Sequence, residues 1–133
     1  MRLLRLLPAL VVACTLAAGC AEDGQAGPLQ DDQGRYVVRL LPTAFDVREL
    51  RVPVGATVLF VNDAAVPHNV EGFDERTGST FSSEWPEPHG MGRPFTAEGD
   101  AWERTFTEPG TWRLHCHYHH AERMAMSLHV APA

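Results

Sequence analysis

The 133-residue chain has no lysine, and its three cysteines stand at positions 14, 20 and 116. With lysine absent, all positive charge outside histidine rests on eleven arginines, which face 17 acidic residues for a formal charge of −6. Arg2 and Arg5 belong to the extreme N-terminus; from Cys20 onward nine arginines meet all 17 acids, a formal charge of −8. Such a surface excludes nucleic acid, whose phosphates demand a basic face, and suits a cationic partner. Cys116 stands alone in the C-terminal hundred residues, so no disulfide can close there. No apolar run reaches the ~20 residues of a membrane-spanning helix. There is no internal repeat and no amphipathic helical period. The length allows one domain of ordinary size.

What is present begins with a leader. Arg2 and Arg5 introduce an apolar run from Leu6 to Ala18 that ends in small residues, the pattern of a secretory signal. Its end, Leu16-Ala17-Ala18-Gly19-Cys20, resembles the lipobox of bacterial lipoproteins. The resemblance implies that residues 1–19 are removed and that Cys20 becomes an acylated N-terminus; ordinary cleavage near Ala21 is the alternative. Residues 20–34 are polar, acidic and glycine-containing, with no apolar period, and read as a flexible tether. The folded domain is expected over residues 35–133.

Within it, Tyr36–Leu41, Val47–Pro53, Thr57–Asn62, Asn69–Gly72, Trp102–Thr107, Thr111–Cys116 and Met126–Val130 carry β-prone or alternating residues between turn signals. The stretch from Asp74 to Asp100 is irregular, with room for one edge strand. Short strands without helices predict an all-β, antiparallel β-sandwich of about seven or eight strands. Period two assigns faces. Trp112, Leu114 and Cys116 point inward while Thr111, Arg113 and His115 point out; Met126, Leu128 and Val130 point inward while Ser127 and His129 point out.

Cys116 therefore ends a buried strand where the chain loops back, in the segment Arg113-Leu114-His115-Cys116-His117-Tyr118-His119-His120-Ala121-Glu122-Arg123-Met124-Ala125-Met126. A buried lone cysteine is as often inert core as ligand, but its neighbours are metal-binding residue types. His119 follows by three and Met124 by eight, and His68 lies upstream in Val66-Pro67-His68-Asn69-Val70. One thiolate, two imidazoles and a weak thioether suit a copper ion that must be stable in two oxidation states.

These residues, with Phe60-Val61-Asn62-Asp63 and Pro109-Gly110-Thr111-Trp112, resemble the cupredoxins, and among them the plastocyanin-like members, over roughly Arg35 to Val130. The resemblance implies a Greek-key β-sandwich with one type 1 copper held by His68, Cys116, His119 and Met124. It also implies that Asn69 fixes the ligand loop by hydrogen bonding. The function implied is single-electron transfer through Cu(II)/Cu(I) outside the cytoplasm, by a carrier rather than an enzyme, with a redox partner protein. Copper storage or delivery is the alternative reading. Membrane contact is expected through the lipid anchor only, and the protein is expected to be a monomer.

Several residues stay open. His120 with Met126 could replace His119 with Met124, although the family's spacing favours the latter pair. His115 and His117 flank Cys116 as in multicopper oxidases, but Ala121 stands where that pattern has its next histidine. His115 is read as solvated, with a second copper as the alternative, and His89 and Met91 as loop residues. His120, Glu122 and Arg123 replace the small or apolar residues that the family more often carries around its exposed ligand.

Overall fold

The alternation of residue types along the strands reappears as alternation of burial. In a computed structural model, which describes residues 29–133, Glu49–Pro53 and Thr57–Asn62 bury every second side chain. The expected leader, the lipidation site Cys20 and the tether up to residue 28 lie outside the described residues. The strands are β1 (Tyr36–Leu41), β2 (Ala44–Phe45), β3 (Glu49–Pro53), β4 (Thr57–Asn62), β5 (Glu71–Asp74), β6 (Thr80–Ser82), β7 (Ala101–Thr105), β8 (Gly110–His115) and β9 (Ala125–Ala131). A single 3-10 turn, His117–His119, follows β8. No helix among the described residues is long and apolar enough to cross a membrane.

The strands form two sheets, one ordered β2-β1-β4-β7 and the other β3-β9-β8-β5-β6. Val38, Leu40, Val58 and Phe60 from the first share a core with Val52, Leu114 and Leu128 from the second, all of them buried. Burying each such side chain stabilises the fold by about 1.5–3 kcal/mol. Trp112, Phe106, Phe60 and Leu114 are core residues, as read from the sequence.

The sandwich departs from the antiparallel expectation in two places. β1 pairs with β4, and β3 with β9, in parallel. After β2 the chain runs through β3 in the opposite sheet before returning as β4, and that crossover lets β4 run in the same direction as β1. Side-chain alternation is identical in parallel and antiparallel strands, so the pattern carries no direction. The strand count is nine rather than seven or eight because β2, of two residues, is too short to show a period. β6 is the edge strand expected in the irregular stretch. The ordered chain also reaches back past Arg35. Val37 N–H donates to the Leu29 carbonyl at 2.8 Å, and Asp31 Oδ2 accepts from Arg35 Nε at 2.7 Å, closing a turn against β1.

Two features position the site. β8 and β9 pair up to His115 opposite Ala125, so residues 116–124 are the loop of a hairpin whose two strands lie deep in the second sheet. At the end of β4 the buried Asn62 braces the next turn, donating from Nδ2 to the Val66 carbonyl at 3.2 Å and accepting at Oδ1 from Ala64 N–H at 3.1 Å. That turn delivers His68.

Gly72 on β5 lies between Phe81 of β6 and Leu114 of β8. A methyl group there would come within 2.2 Å of the Phe81 ring, which is itself buried. Gly72→Ala is expected to destabilise the protein by about 1–3 kcal/mol through overpacking, read as a lower urea midpoint; an unchanged midpoint would mean that the ring has room to retreat.

Candidate metal centre

Cys116 leaves β8 fully buried, and the chain then enters the 3-10 turn. In such a turn residues i and i+3 eclipse, so the C-x2-H spacing stacks His119 over Cys116. His119 N–H donates to the Cys116 carbonyl at 3.3 Å, and the two side chains come together with Sγ 3.5 Å from His119 Nδ1. The loop closes by hydrogen bonds from Met124 N–H to the His119 carbonyl at 3.2 Å and from Cys116 N–H to the Met124 carbonyl at 3.1 Å. Arg123, just before Met124, adopts a left-handed φ of 57° and turns the chain back into β9. Met124 is buried at the base of this loop.

The opposite wall is rigid. His68 forms a two-way backbone bridge with Phe95, each N–H donating to the other's carbonyl at 2.9 Å. Its ring is fully buried, with Nδ1 3.6 Å from Cys116 Sγ across 48 residues of sequence and its centroid 4.7 Å from that of His119. The ligand-capable atoms of His68, Cys116 and His119 lie within 4.8 Å of one another. Among the described residues no other group of three histidine, cysteine or acidic side chains converges in this way. For an ion in trigonal coordination at about 2.0 Å from nitrogen and 2.3 Å from sulfur, each nitrogen–sulfur separation is about 3.7 Å. The observed 3.5 and 3.6 Å match that geometry, so the residues fit a metal of the blue-copper kind.

Burial, reinforced by the neighbouring His119, pushes the His68 pKa down from 6.5 to about 4, and the Leu41 backbone offsets this in part. Its Nε2 is buried and makes no hydrogen bond within 3.5 Å. The ring is therefore neutral at pH 7, the form in which imidazole is a ligand. His119 is only partly buried and is the edge of the centre that meets solvent.

Asn69 links the two walls. Its Oδ1 accepts from His117 N–H at 2.7 Å, while Nδ2 donates to Glu84 Oε2 at 2.9 Å and Glu71 Oε1 at 3.1 Å. Glu84 also accepts from the Tyr118 hydroxyl at 2.6 Å, and that bond leads the causes that push the Tyr118 pKa up to about 12. Glu71, Glu84 and Tyr118 went unnoticed in the sequence because nothing in their local spacing marks them. Only the pairing of Glu71 with His115 across β5 and β8 brings the first near, and Glu84 comes from the irregular segment. Among the open residues, His120 turns away toward His115 and His117, and Met126 occupies the inner face of β9. His89 is exposed in the long loop, and Met91 packs on the core.

Comparison with known proteins agrees with this geometry. Residues 40–131 match the family described as copper binding proteins, plastocyanin/azurin family. Amicyanin of Paracoccus denitrificans is 30% identical over 120 residues, covering 85% of each chain. Solved amicyanin structures superpose well: a reduced tryptophan-to-tyrosine mutant has a TM-score of 0.59 at 28% identity, covering 79% of this chain and 92% of its own. A methionine-to-alanine mutant in its Cu(I) form scores 0.59 at 27% identity with the same coverage.

The depressed His68 pKa fixes the sign of one pH effect. Between about pH 6.5 and pH 4 the unfolded chain binds a proton that the folded chain refuses, so the metal-free protein loses stability as pH falls through that window. The loss approaches about 3 kcal/mol and levels off below it. Denaturant unfolding of metal-free protein should show a shallower pH slope in His68→Asn than in wild type; equal slopes would remove His68 as the cause.

Proposed function

The chain belongs to the plastocyanin/azurin family of copper-binding proteins, and from that premise we propose that His68 Nδ1, Cys116 Sγ and His119 Nδ1 would hold one type 1 copper ion, with the Met124 thioether as a further, weak ligand. The protein is an amicyanin-like blue copper protein, an electron carrier that works outside the cytoplasm. Bound copper supplies the one-electron Cu(II)/Cu(I) couple. The observation that carries the reading is the meeting of a buried thiol and two imidazole nitrogens at 3.5 and 3.6 Å.

The protein's own residues set the terms of transfer. Cys116 binds as thiolate, so loading releases a proton and stabilises the fold. His68, locked by the Phe95 bridge and already neutral, needs no rearrangement to bind. Asn69 clamps the ligand loop through His117 N–H, which keeps Cys116 and His119 in place when the charge of the centre changes. His119 offers the exposed edge through which the electron leaves. The partner is a redox protein, and the net negative charge favours one with a cationic face. Acylation at Cys20 ties the domain, as a monomer, to the membrane surface. Storage or delivery of copper remains the competing use of the same ligands; a carrier keeps its metal through repeated oxidation and reduction, and a donor gives it up to an acceptor.

Adding Cu(II) to purified protein should give one tightly held copper per chain and an intense visible thiolate-to-copper band. Cys116→Ser should abolish that band, and Cys20→Ser should release the protein from membranes without changing its colour. A colourless complex would refute the type 1 assignment. Asn69→Ala should keep the band but weaken copper affinity by about 10–100-fold, measured by competition with a chelator; unchanged affinity would reduce Asn69 to a turn residue.

A further inference from the structure

Two residues separate Cys116 from His119, and the turn they form has little core packing to hold it. His117 and Tyr118 are exposed, none of the residues His117–His119 is buried, and no side chain caps the start of the turn. One turn of this kind is too short to be stable by itself. Each of the two residues is instead tied to the opposite wall by a hydrogen bond. His117 N–H donates to Asn69 Oδ1 at 2.7 Å, and the Tyr118 hydroxyl donates to Glu84 Oε1 at 2.6 Å. Both ties lead to Glu84, because its other oxygen accepts from Asn69 Nδ2 at 2.9 Å. We propose that Glu84 is a positioning residue for the metal centre, an anionic anchor that holds the turn between Cys116 and His119 and lowers the reduction potential of an ion bound there. The effect on potential rests on the copper reading; the hold on the turn does not.

The anchor is itself fixed. Ser83, immediately before it, is fully buried and locked to Val70 in both directions: Val70 N–H donates to Ser83 Oγ, and Ser83 N–H to the Val70 carbonyl, each at 2.9 Å. Glu84 N–H donates to Ser82 Oγ at 3.2 Å. Val70 follows Asn69, so the carboxylate and the amide it holds are mounted on paired backbone. The carboxylates also decide which way that amide faces. Asn69 Nδ2 meets Glu84 at 2.9 Å and Glu71 Oε1 at 3.1 Å, and an ionised carboxylate, which only accepts, requires the NH2 on that side. The amide oxygen is thereby left toward His117 N–H.

The same arrangement carries charge. Two carboxylates on one amide repel each other, and among the described residues no ion pair joins an arginine to either. Glu84 is half-buried, so solvent screens its charge only in part. Positive charge in the neighbouring centre relieves that repulsion, and the higher oxidation state relieves it more. Glu84 therefore favours Cu(II) over Cu(I).

The hold on the turn is tested in metal-free protein by NMR, following hydrogen exchange of the His117 amide. We expect Glu84→Ala to speed that exchange by about tenfold or more. The potential is tested by redox titration of copper-loaded protein. Glu84→Gln keeps the size of the side chain and removes its charge, whereas Glu108→Gln removes a charge two residues before the start of β8, at the end of that strand away from Cys116. We expect a rise in potential in Glu84→Gln that clearly exceeds the rise in Glu108→Gln. Equal shifts in the two variants, or a His117 amide that exchanges at the wild-type rate in Glu84→Ala, would overturn the proposal. A wild-type protein without the thiolate-to-copper band would defeat the copper reading instead, and the exchange comparison would still decide whether Glu84 anchors the turn.

Discussion

The separation of 3.6 Å between Cys116 Sγ and His68 Nδ1, both fully buried, is the constraint around which this small sandwich is arranged. Burying polar groups without strong partners costs free energy, and His68 Nε2 has no hydrogen-bond partner within 3.5 Å. The two residues come from different parts of the chain and meet only because the end of β4 and the end of β8 lie at the same edge of the core. The surrounding polar network holds them there. Asn62 shapes the turn before His68, Phe95 fixes its backbone, and Asn69 reaches across to His117 on the other wall. Remove the convergence and each of these buried polar groups loses its reason to be where it is.

The two walls divide the work. The His68 side is fixed by main-chain bridging and admits no solvent. The Cys116 side is a nine-residue hairpin loop whose ends are tied by β8 and β9 and whose middle is one tight helical turn. A loop anchored at both ends and clamped by an amide in the middle has little freedom to follow a change of charge. Low rearrangement is what a one-electron carrier requires, and the partial exposure of His119 leaves one narrow contact with solvent. Rigidity and access are thus assigned to different histidines.

Much of this was legible from residue types. The inward faces of β8 and β9 followed from period two, and the C-x2-H spacing with the upstream Pro-His-Asn pointed to the three side chains that converge. The choice between His119 and His120 was not settled by counting, because both are adjacent imidazoles. It turns on a backbone fact, the i to i+3 stacking of the 3-10 turn, which lays His119 against Cys116 and sends His120 outward. Parallel pairing of β1 with β4 and of β3 with β9 was hidden because alternation carries no direction. The carboxylates that hold Asn69 were hidden for a different reason: their role exists only in the folded state, where β5 and the irregular segment after β6 come beside the loop.

The surface around the half-buried His119 is polar. His117, Tyr118 and His120 surround His119, with Glu122 and Arg123 beyond them and Glu84 bonded to the Tyr118 hydroxyl. A rim of imidazoles and charges offers little apolar area to bury, so a partner docking here gains little from desolvation. Recognition across such a surface would rest on long-range attraction, which governs the rate of encounter more than the lifetime of the complex. Brief encounters suit an electron carrier, since a shuttle that binds tightly on one side cannot reach the other. The polar rim and the buried, preorganised interior therefore serve the same end, the one by hastening release and the other by making the electron's step small.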